Sequence, residues 1–182
     1  VGVATIGEAS EAREWGWQGS ILLMGSELNG YVGPRQRDRA EWLVANEISS
    51  TVSSLGDLEA LDLAAQAVGK PAIVHFMLDT GMTREGVYEE AVREMIERAR
   101  SSDSIRIEGL YTHFATADEA DKSFAHEQFE RFGRFVEELE SQGVEIPLLH
   151  AANSPAMIDV PHVHLNMVRP GVSVYGCHAS HE

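Results

Sequence analysis

Apolar runs and amphipathic stretches alternate along the whole 182-residue chain. Seven apolar runs predict strands, at residues 1–6, 20–24, 47–52, 71–78, 106–114, 147–151 and 164–168. Helical periodicity separates them at 8–15, 35–45, 58–68, 88–100 and 122–141, and a short turn follows Ser154. Continuous apolar strands that alternate with amphipathic helices are typical of parallel β/α units. With no linker or low-complexity segment, the pattern predicts one α/β domain.

The number of strands predicts an incomplete barrel. A closed (β/α)₈ barrel needs eight strands and typically about 250 residues. Seven predicted strands in 182 residues therefore indicate a TIM-like (β/α) barrel that lacks one strand and leaves two edges unpaired. In such barrels the chemistry lies at the carboxyl ends of the strands.

Composition narrows the classes of partner. A formal net charge of −15, from 14 basic and 29 acidic residues, argues against nucleic-acid binding, which needs clustered Lys and Arg. No apolar run reaches the roughly 18–20 residues that a membrane-spanning helix needs. The single cysteine, Cys177, excludes an internal disulfide and is typical of a reducing compartment. We therefore expect the protein to be located in the cytoplasm.

Three segments carry the chemical information, and each begins in an apolar run and ends in a polar loop. They are DTGMTREGV from Asp79, EGLYTHFATADEAD from Glu108, and HAANSPA from His150 followed by NMVRPGVSVYG up to Gly176. Together they resemble the cofactor-binding barrel of alanine racemases. The resemblance covers residues 1–176, which we expect to form the cofactor-binding domain, with 177–182 as a tail that starts a separate β-rich domain.

The resemblance implies an enzyme that interconverts L-alanine and D-alanine with pyridoxal 5′-phosphate (PLP), as a homodimer. In that family a lysine on the first strand holds PLP, and a tyrosine from the partner's C-terminal domain is the second base. Lys70 opens a strand and Lys122 begins a helix, so neither matches this lysine. Tyr111 and Tyr175 do not match the tyrosine. We therefore expect no catalytic base in this chain, a missing first strand, and no activity of the chain alone.

Three side chains match positions that contact the PLP ring in the family. Arg169, in MVRPG, would donate to the pyridine nitrogen, and a permanently charged donor there disfavours protonation of that nitrogen. His113 would lie against the ring, and Arg84 would contact the phenolic oxygen. Two departures affect Arg84, since Thr83 replaces the usual Gly and Met77 replaces a lysine that many members carry.

The segment Asn153–Ser154–Pro155 predicts a helix start on local grounds, with Ser154 as N-cap and Pro155 at the first helical position. A helix start exposes N–H groups that bind anions. By resemblance Ser154 contacts the PLP phosphate, aided by the backbone of Gly171 and Val172. Asn153 belongs to the same set, and Pro155 replaces a family Ala, which removes one donor.

Other titratable residues have simpler interpretations. Asp79 and Asp118 suggest paired carboxylates, but capping of loop N–H groups is the expected role of both. His162 and His164 stand two apart on a predicted strand, hence on one face, but they lack a third ligand nearby. We predict no metal site.

Three alternative functions stay open. A racemase for serine or another amino acid would share this barrel, because substrate choice depends partly on segments outside it. A non-catalytic, single-domain PLP-binding barrel protein that regulates the cofactor has a related fold, although it typically lacks the MVRPGVSVYG pattern. The third alternative is a non-catalytic binding or sensing module that has lost its lysine.

Overall fold

The computed structural model describes residues 1–28 and 33–178, which form two compact units. The first unit comprises Val1–Met77 and Glu90–Glu108, and the second comprises Leu78–Glu89 and the described part of Gly109–Glu182. Within the described ranges, no helix combines the length and low polarity that crossing a bilayer requires. The expectation that residues 1–176 form one domain, followed by a tail, stays a prediction.

The first unit alternates parallel strands with helices. Its elements are β1 (Gly2–Val3), α1 (Ile6–Glu14), β2 (Ile21–Leu23), α2 (Pro34–Ala45), β3 (Ile48–Val52), α3 (Leu55–Val68), β4 (Ala72–Met77) and most of α4 (Glu89–Arg100). Strands β1 to β4 pair in parallel and in chain order. Every residue of β2 and β3 is buried, as expected of parallel strands covered on both faces.

The second unit contains the predicted motif loops. Its elements are the end of β5 (Ile105–Tyr111), α5 (Ser123–Ser141), β6 (Leu148–His150), α6 (Ser154–Asp159) and two 3₁₀ segments, Pro161–Val163 and Val172–Tyr175. β5 and β6 pair in parallel, with Tyr111 opposite His150. A buried apolar cluster supports the loops that follow these strands, and it consists of Phe114, Ala117, Ala125, Ala151, Ala152, Ala156, Val160 and Val163.

The start of α1 shows why the first predicted strand is shorter than expected. The Thr5 hydroxyl accepts a hydrogen bond from the Glu8 N–H at 3.2 Å, and the Glu8 carboxylate accepts one from the Thr5 N–H at 3.2 Å. This reciprocal pair is a capping box, which fixes a helix start at Ile6. Ile6 is therefore helical, although its apolar character suggested a strand.

The predicted strand at 164–168 is wrong. Pro161–Val163 forms a 3₁₀ turn, and Leu165 has a positive φ of 52°, which is incompatible with extended backbone. Only Met167 makes a strand-like pairing, an isolated parallel bridge to His150. The described residues thus contain six strands, and the count of seven is corrected.

A polar cluster lies among the strands of the first unit. The carboxylate of Glu108 accepts hydrogen bonds from the Ser49 hydroxyl at 2.5 Å and from His75 Nε2 at 3.0 Å. Ser49 and His75 are almost fully buried, at 3% and 1% exposure. The hydrogen bond from His75 lowers the pKa of Glu108 to about 2, and that from Ser49 adds to this effect. The folded state therefore favours the charged form of Glu108.

This cluster makes stability depend on acid pH. Because the pKa of Glu108 falls from 4.5 to about 2 on folding, its contribution is complete above pH 4.5 and is lost as the pH falls toward 2. We expect Glu108→Gln to cost roughly 1.5–3 kcal/mol at pH 7, the range of hydrogen bonds to charged groups. Urea unfolding should show a smaller dependence on pH between 4.5 and 2 in the variant. Glu59→Gln, at an exposed helix position, is the control, and an equal loss in both variants would contradict this account.

Candidate functional site

Backbone hydrogen bonds place three loops of the second unit side by side. The Thr112 N–H donates to the His150 carbonyl at 3.2 Å, and the Arg169 N–H donates to the Ala152 carbonyl at 2.9 Å. The segments that follow β5 and β6 are therefore in register with the segment that contains Arg169. These loops carry two of the three sequence motifs, the one that starts at Glu108 and the one that runs from His150 to Gly176.

Arg169 is fixed by hydrogen bonds from both terminal nitrogens. Nη1 lies 2.7 Å from His150 Nδ1, and Nη2 donates to the carbonyls of Thr112 at 2.7 Å and Ala151 at 3.1 Å. Because the guanidinium only donates, His150 Nδ1 is the acceptor and its ring carries a proton on Nε2. The third nitrogen, Nε, is buried and has no partner among the described residues. One donor of a rigidly held cation is therefore left for another group.

Aromatic rings pack beside this guanidinium. Tyr111 and His150 are stacked, with ring centroids 4.6 Å apart and planes 10° apart. The guanidinium carbon of Arg169 lies 5.0 Å from the Tyr111 ring centroid, within cation–π range. Burial lowers the pKa of Arg169 to about 10, so the side chain remains charged at neutral pH.

His113 lies next to Arg169, as the sequence predicted that both would belong to one site. Its Nδ1 is 3.5 Å from Arg169 Nη2. Burial lowers the pKa of His113 to about 4, and the positive charges of Arg169 and Arg84 contribute further. The imidazole is therefore neutral at physiological pH and adds no charge to the site.

The predicted role of Ser154 as helix cap is wrong by one residue. Asn153 is the N-cap of α6, and its Oδ1 accepts from the Ala156 N–H at 3.2 Å. Ser154 is thereby released from capping, and its Oγ accepts from the N–H groups of Gly171 at 2.8 Å and Ser173 at 3.4 Å. The structure thus joins Ser154 to the segment after Arg169.

The donors that remain free around Ser154 suit an acceptor ligand. Its Oγ accepts two hydrogen bonds, so the hydroxyl proton is available to donate. The Ser173 hydroxyl is buried without a partner in the described ranges. Gly171 was predicted to offer its N–H to an anion, but that group instead donates to Ser154. The hydroxyl protons of Ser154 and Ser173 are therefore two donors that the described residues leave free.

Asp79 shapes the loop that carries Arg84. Its Oδ1 accepts from the N–H groups of Gly81 at 2.9 Å and Thr83 at 3.0 Å, which confirms the predicted structural role of Asp79. Thr83 has a φ of 54°, a conformation that is unfavourable for a β-branched residue. Gly86 is required by close packing, because a Cβ there would lie 2.8 Å from the Asp79 nitrogen.

Arg84 itself is exposed, and its charge acts on His113. Its expected contact with a cofactor oxygen stays a prediction. Met77 is buried, at 4% exposure. An apolar methionine cannot donate a hydrogen bond to anchor a neighbouring loop.

The two lysines have the surroundings of structural residues. Lys70 Nζ forms an ion pair with Glu47 at 2.8 Å just before β4, at the amino-terminal end of that strand, as predicted. Lys122 Nζ donates to the Ala117 carbonyl at 2.8 Å and pairs with Asp159 at 3.0 Å.

The two histidines proposed to share a strand face do not do so. His162 lies in the 3₁₀ turn and stacks on His126, with ring centroids 5.1 Å apart. His164 follows this turn, and its Nε2 donates to the Met157 carbonyl at 2.7 Å. Because 164–168 is not a strand, the premise of the pair fails.

Four residues that build the site were not predicted from the sequence. They are Thr112, His150, Ser173 and Gln128. One signal was visible for Gln128, since it is a polar residue within the buried stripe of α5, in line with Ala125, Phe132 and Phe135. His150 was visible only as the start of a motif, because its role depends on a neighbour 19 residues away.

Comparisons with known proteins agree on one family. The family description "Alanine racemase, N-terminal domain" matches residues 1–179. The chain is 41% identical over 179 residues to alanine racemase of Methanococcus maripaludis, covering 98% of this chain and 46% of that protein. It is 40% identical over 182 residues to alanine racemase 2 of Caldanaerobacter subterraneus subsp. tengcongensis, covering 99% and 45%. The chain thus spans about half the length of the curated relatives it matches.

Solved structures share its fold. Alanine racemase of Clostridium difficile 630 in complex with cycloserine matches with a TM-score of 0.88 and 36% identity, covering 99% of this chain and 48% of that one. Alanine racemase of Bacillus anthracis with bound L-Ala-P matches with a TM-score of 0.81 and 29% identity, covering 99% and 45%. The predicted α/β class is confirmed.

The lowered pKa of His113 makes a testable prediction. Because this pKa falls from 6.5 to about 4 on folding, the stability it contributes is complete above pH 6.5 and is lost as the pH falls toward 4. The change amounts to roughly 3 kcal/mol. An NMR titration should give His113 a midpoint near pH 4, and His113→Gln should flatten the stability profile between pH 6.5 and 4. His178→Gln is the exposed control, and a His113 midpoint between pH 6 and 7 would refute the assignment.

Proposed function

Since the chain belongs to the family of alanine racemase N-terminal domains, we propose that it is the cofactor-binding part of a PLP-dependent alanine racemase. The proposed substrate is alanine, whose Cα proton is removed from one face and returned to the opposite face. The curated relatives named above are alanine racemases, which supports alanine over serine as the substrate.

The observation that carries the proposal is a set of buried donors without protein partners. Arg169 Nε and the Ser173 hydroxyl lack partners in the described ranges, and the Ser154 hydroxyl proton is free to donate. PLP offers the matching acceptors, one pyridine nitrogen and one phosphate. The residues present therefore fit the group.

The proposal assigns a separate role to each residue. Arg169 binds the pyridine nitrogen, and Ser154 with the backbone of Val172 binds the phosphate. Asn153 and Gly171 hold Ser154 in place, the first as helix cap and the second as donor to its Oγ. The remaining two contacts are those of His113 with the ring and of Arg84 with the phenolic oxygen.

Arg169 determines how strongly the site withdraws electrons. The chemistry that PLP supplies is electron withdrawal from the amino-acid Cα, which acidifies its proton. Arg169 keeps its own protons at neutral pH, since the pKa of about 10 lies well above that range. A charged donor at the pyridine nitrogen disfavours protonation there. This chain thereby limits withdrawal, which favours return of the proton to Cα over side reactions.

The proposal assigns neither base to the residues described. Lys70 is paired on the surface and Lys122 is held by a carbonyl and Asp159. A lysine that holds PLP must be buried with a lowered pKa, so neither suits the role. Assembly as a homodimer and a cytoplasmic location complete the proposal.

The proposal predicts how racemisation depends on the rest of the protein. The 182-residue chain with PLP should not racemise L-alanine, because it offers no suitable base. A chimera in which this chain replaces the matching part of the Methanococcus maripaludis relative should racemise L-alanine, and Arg169→Ala should abolish that turnover. Chiral chromatography of the products measures both.

The same assay separates the alternatives. Turnover of L-serine in preference to L-alanine would favour a racemase of different specificity. A folded chimera that binds PLP without any turnover would favour the non-catalytic binding protein. Turnover by the 182-residue chain alone would show that its lysines are misassigned.

Phosphate recognition makes a second prediction. Ser154→Ala should weaken PLP binding by about tenfold, the effect of losing one hydrogen bond to a charged group, and Ser173→Ala by roughly threefold. Binding of pyridoxal, which lacks the phosphate, should change little. Titration calorimetry on the purified chain measures both ligands.

Ser141→Ala is the matched control, because Ser141 lies at the exposed end of α5 and bonds only to the Glu138 carbonyl in the described structure. Equal losses of affinity for PLP and pyridoxal in Ser154→Ala would mean that Ser154 acts on the fold and not on the phosphate.

A further inference from the structure

Gln128 is a polar side chain in the core of the second unit. It is 0% exposed, although it lies on the apolar face of α5. Its Oε1 accepts from the Ala115 N–H at 2.9 Å, and its Nε2 donates to the His113 carbonyl at 3.0 Å and to Thr80 Oγ1 at 3.2 Å. These partners fix the orientation of the amide, because an N–H must face the oxygen and a carbonyl must face the nitrogen.

These bonds connect two of the motif loops. Thr80 follows Asp79 at the start of the loop that carries Arg84, and its hydroxyl lies 2.7 Å from the Thr112 hydroxyl. One turn further along α5, Arg131 donates from Nη1 to the Thr80 carbonyl at 2.9 Å. Helix α5 therefore holds the starts of both loops through side chains that are not themselves on the loops.

The peptide of His113 is held from two directions. Gln128 Nε2 binds the His113 carbonyl, and Arg169 Nη2 binds the preceding carbonyl, that of Thr112. Because the carbonyls of Thr112 and His113 are both held, the His113 side chain has little freedom to change its position.

We infer that Gln128 is a positioning residue that fixes His113 and the loop of Arg84 against the cofactor site, through Ala115, the His113 carbonyl and Thr80. The inference rests on the proposed function for what the site binds. Gln128 itself touches neither substrate nor cofactor in this account.

The chemistry of this position requires an amide. A carboxylate of the same size would keep the acceptor for Ala115 but would place oxygens against the His113 carbonyl and remove both donors. An apolar side chain would leave the Ala115 N–H and the His113 carbonyl buried without partners. Gln128→Glu therefore removes the two bonds that Gln128 donates, to the His113 carbonyl and to Thr80, with the smallest change in volume.

The test compares Gln128→Glu with Thr80→Val, which removes one hydroxyl of the same network without adding a charge. Gln142→Glu, at the exposed C-cap of α5, carries the same change of charge and is the control. The first readout is the ¹H–¹³C spectrum of the His113 ring in the chain without ligand. The second is the affinity for PLP and, separately, for inorganic phosphate.

In Gln128→Glu and Thr80→Val we expect the His113 ring signals to shift or broaden and the affinity for PLP to fall roughly five- to tenfold, about the effect of one lost hydrogen bond. Inorganic phosphate should bind as in the parent chain, because Ser154 is not in this network. Gln142→Glu should match the parent chain in both readouts.

Two results keep this inference separate from the proposed function. If the parent chain binds no PLP, the cofactor assignment fails, while the His113 spectrum still reports whether Gln128 positions the ring. If Gln128→Glu does not fold, Thr80→Val decides alone. A folded variant with an unchanged His113 spectrum overturns the inference.

Discussion

Arg169 provides the interaction on which the candidate site depends. Its terminal nitrogens bind the Thr112 and Ala151 carbonyls and the His150 ring, so one buried cation connects the segments after β5 and β6. A buried charge is costly unless hydrogen bonds or an opposite charge offset the loss of water. The bonds to carbonyls, the cation–π contact with Tyr111 and the acceptor nitrogen of His150 together compensate for this cost. The ionisation of the residue next to Arg169 also fits a permanent positive charge at this position.

His113 illustrates the electrostatic consequence. A protonated imidazole beside Arg169 would add a second positive charge in a partly buried position, and the pKa of about 4 reflects both burial and this repulsion. The neutral ring therefore adds no second buried charge beside Arg169. Ser173 follows Arg169 by four residues in the chain, and Ser154, which precedes it by 15 residues, is joined to the same segment by the Gly171 N–H.

The sequence predicted the α/β class, most element positions and the segments that form the site. These features depend on local periodicity and on motifs of contiguous residues, as at Arg169 and Asp79. Prediction from the sequence failed where structure depends on neighbours distant in sequence or on backbone conformation. Residues 164–168 were predicted as a strand because the run is apolar, yet the φ of Leu165 lies in the left-handed region. Ser154 looked like a cap, yet Asn153 takes that role because its side chain reaches the Ala156 N–H.

A ¹H–¹⁵N spectrum of the arginine Nε–H groups tests whether Arg169 Nε–H donates to a ring nitrogen of the ligand, as we propose. Arg169→Lys identifies the Arg169 signal by its disappearance. On titration with PLP, we expect this signal to move, whereas inorganic phosphate should leave it in place. An Arg169 signal that does not respond to saturating PLP, in a chain shown to bind PLP, would rule out this role of Arg169.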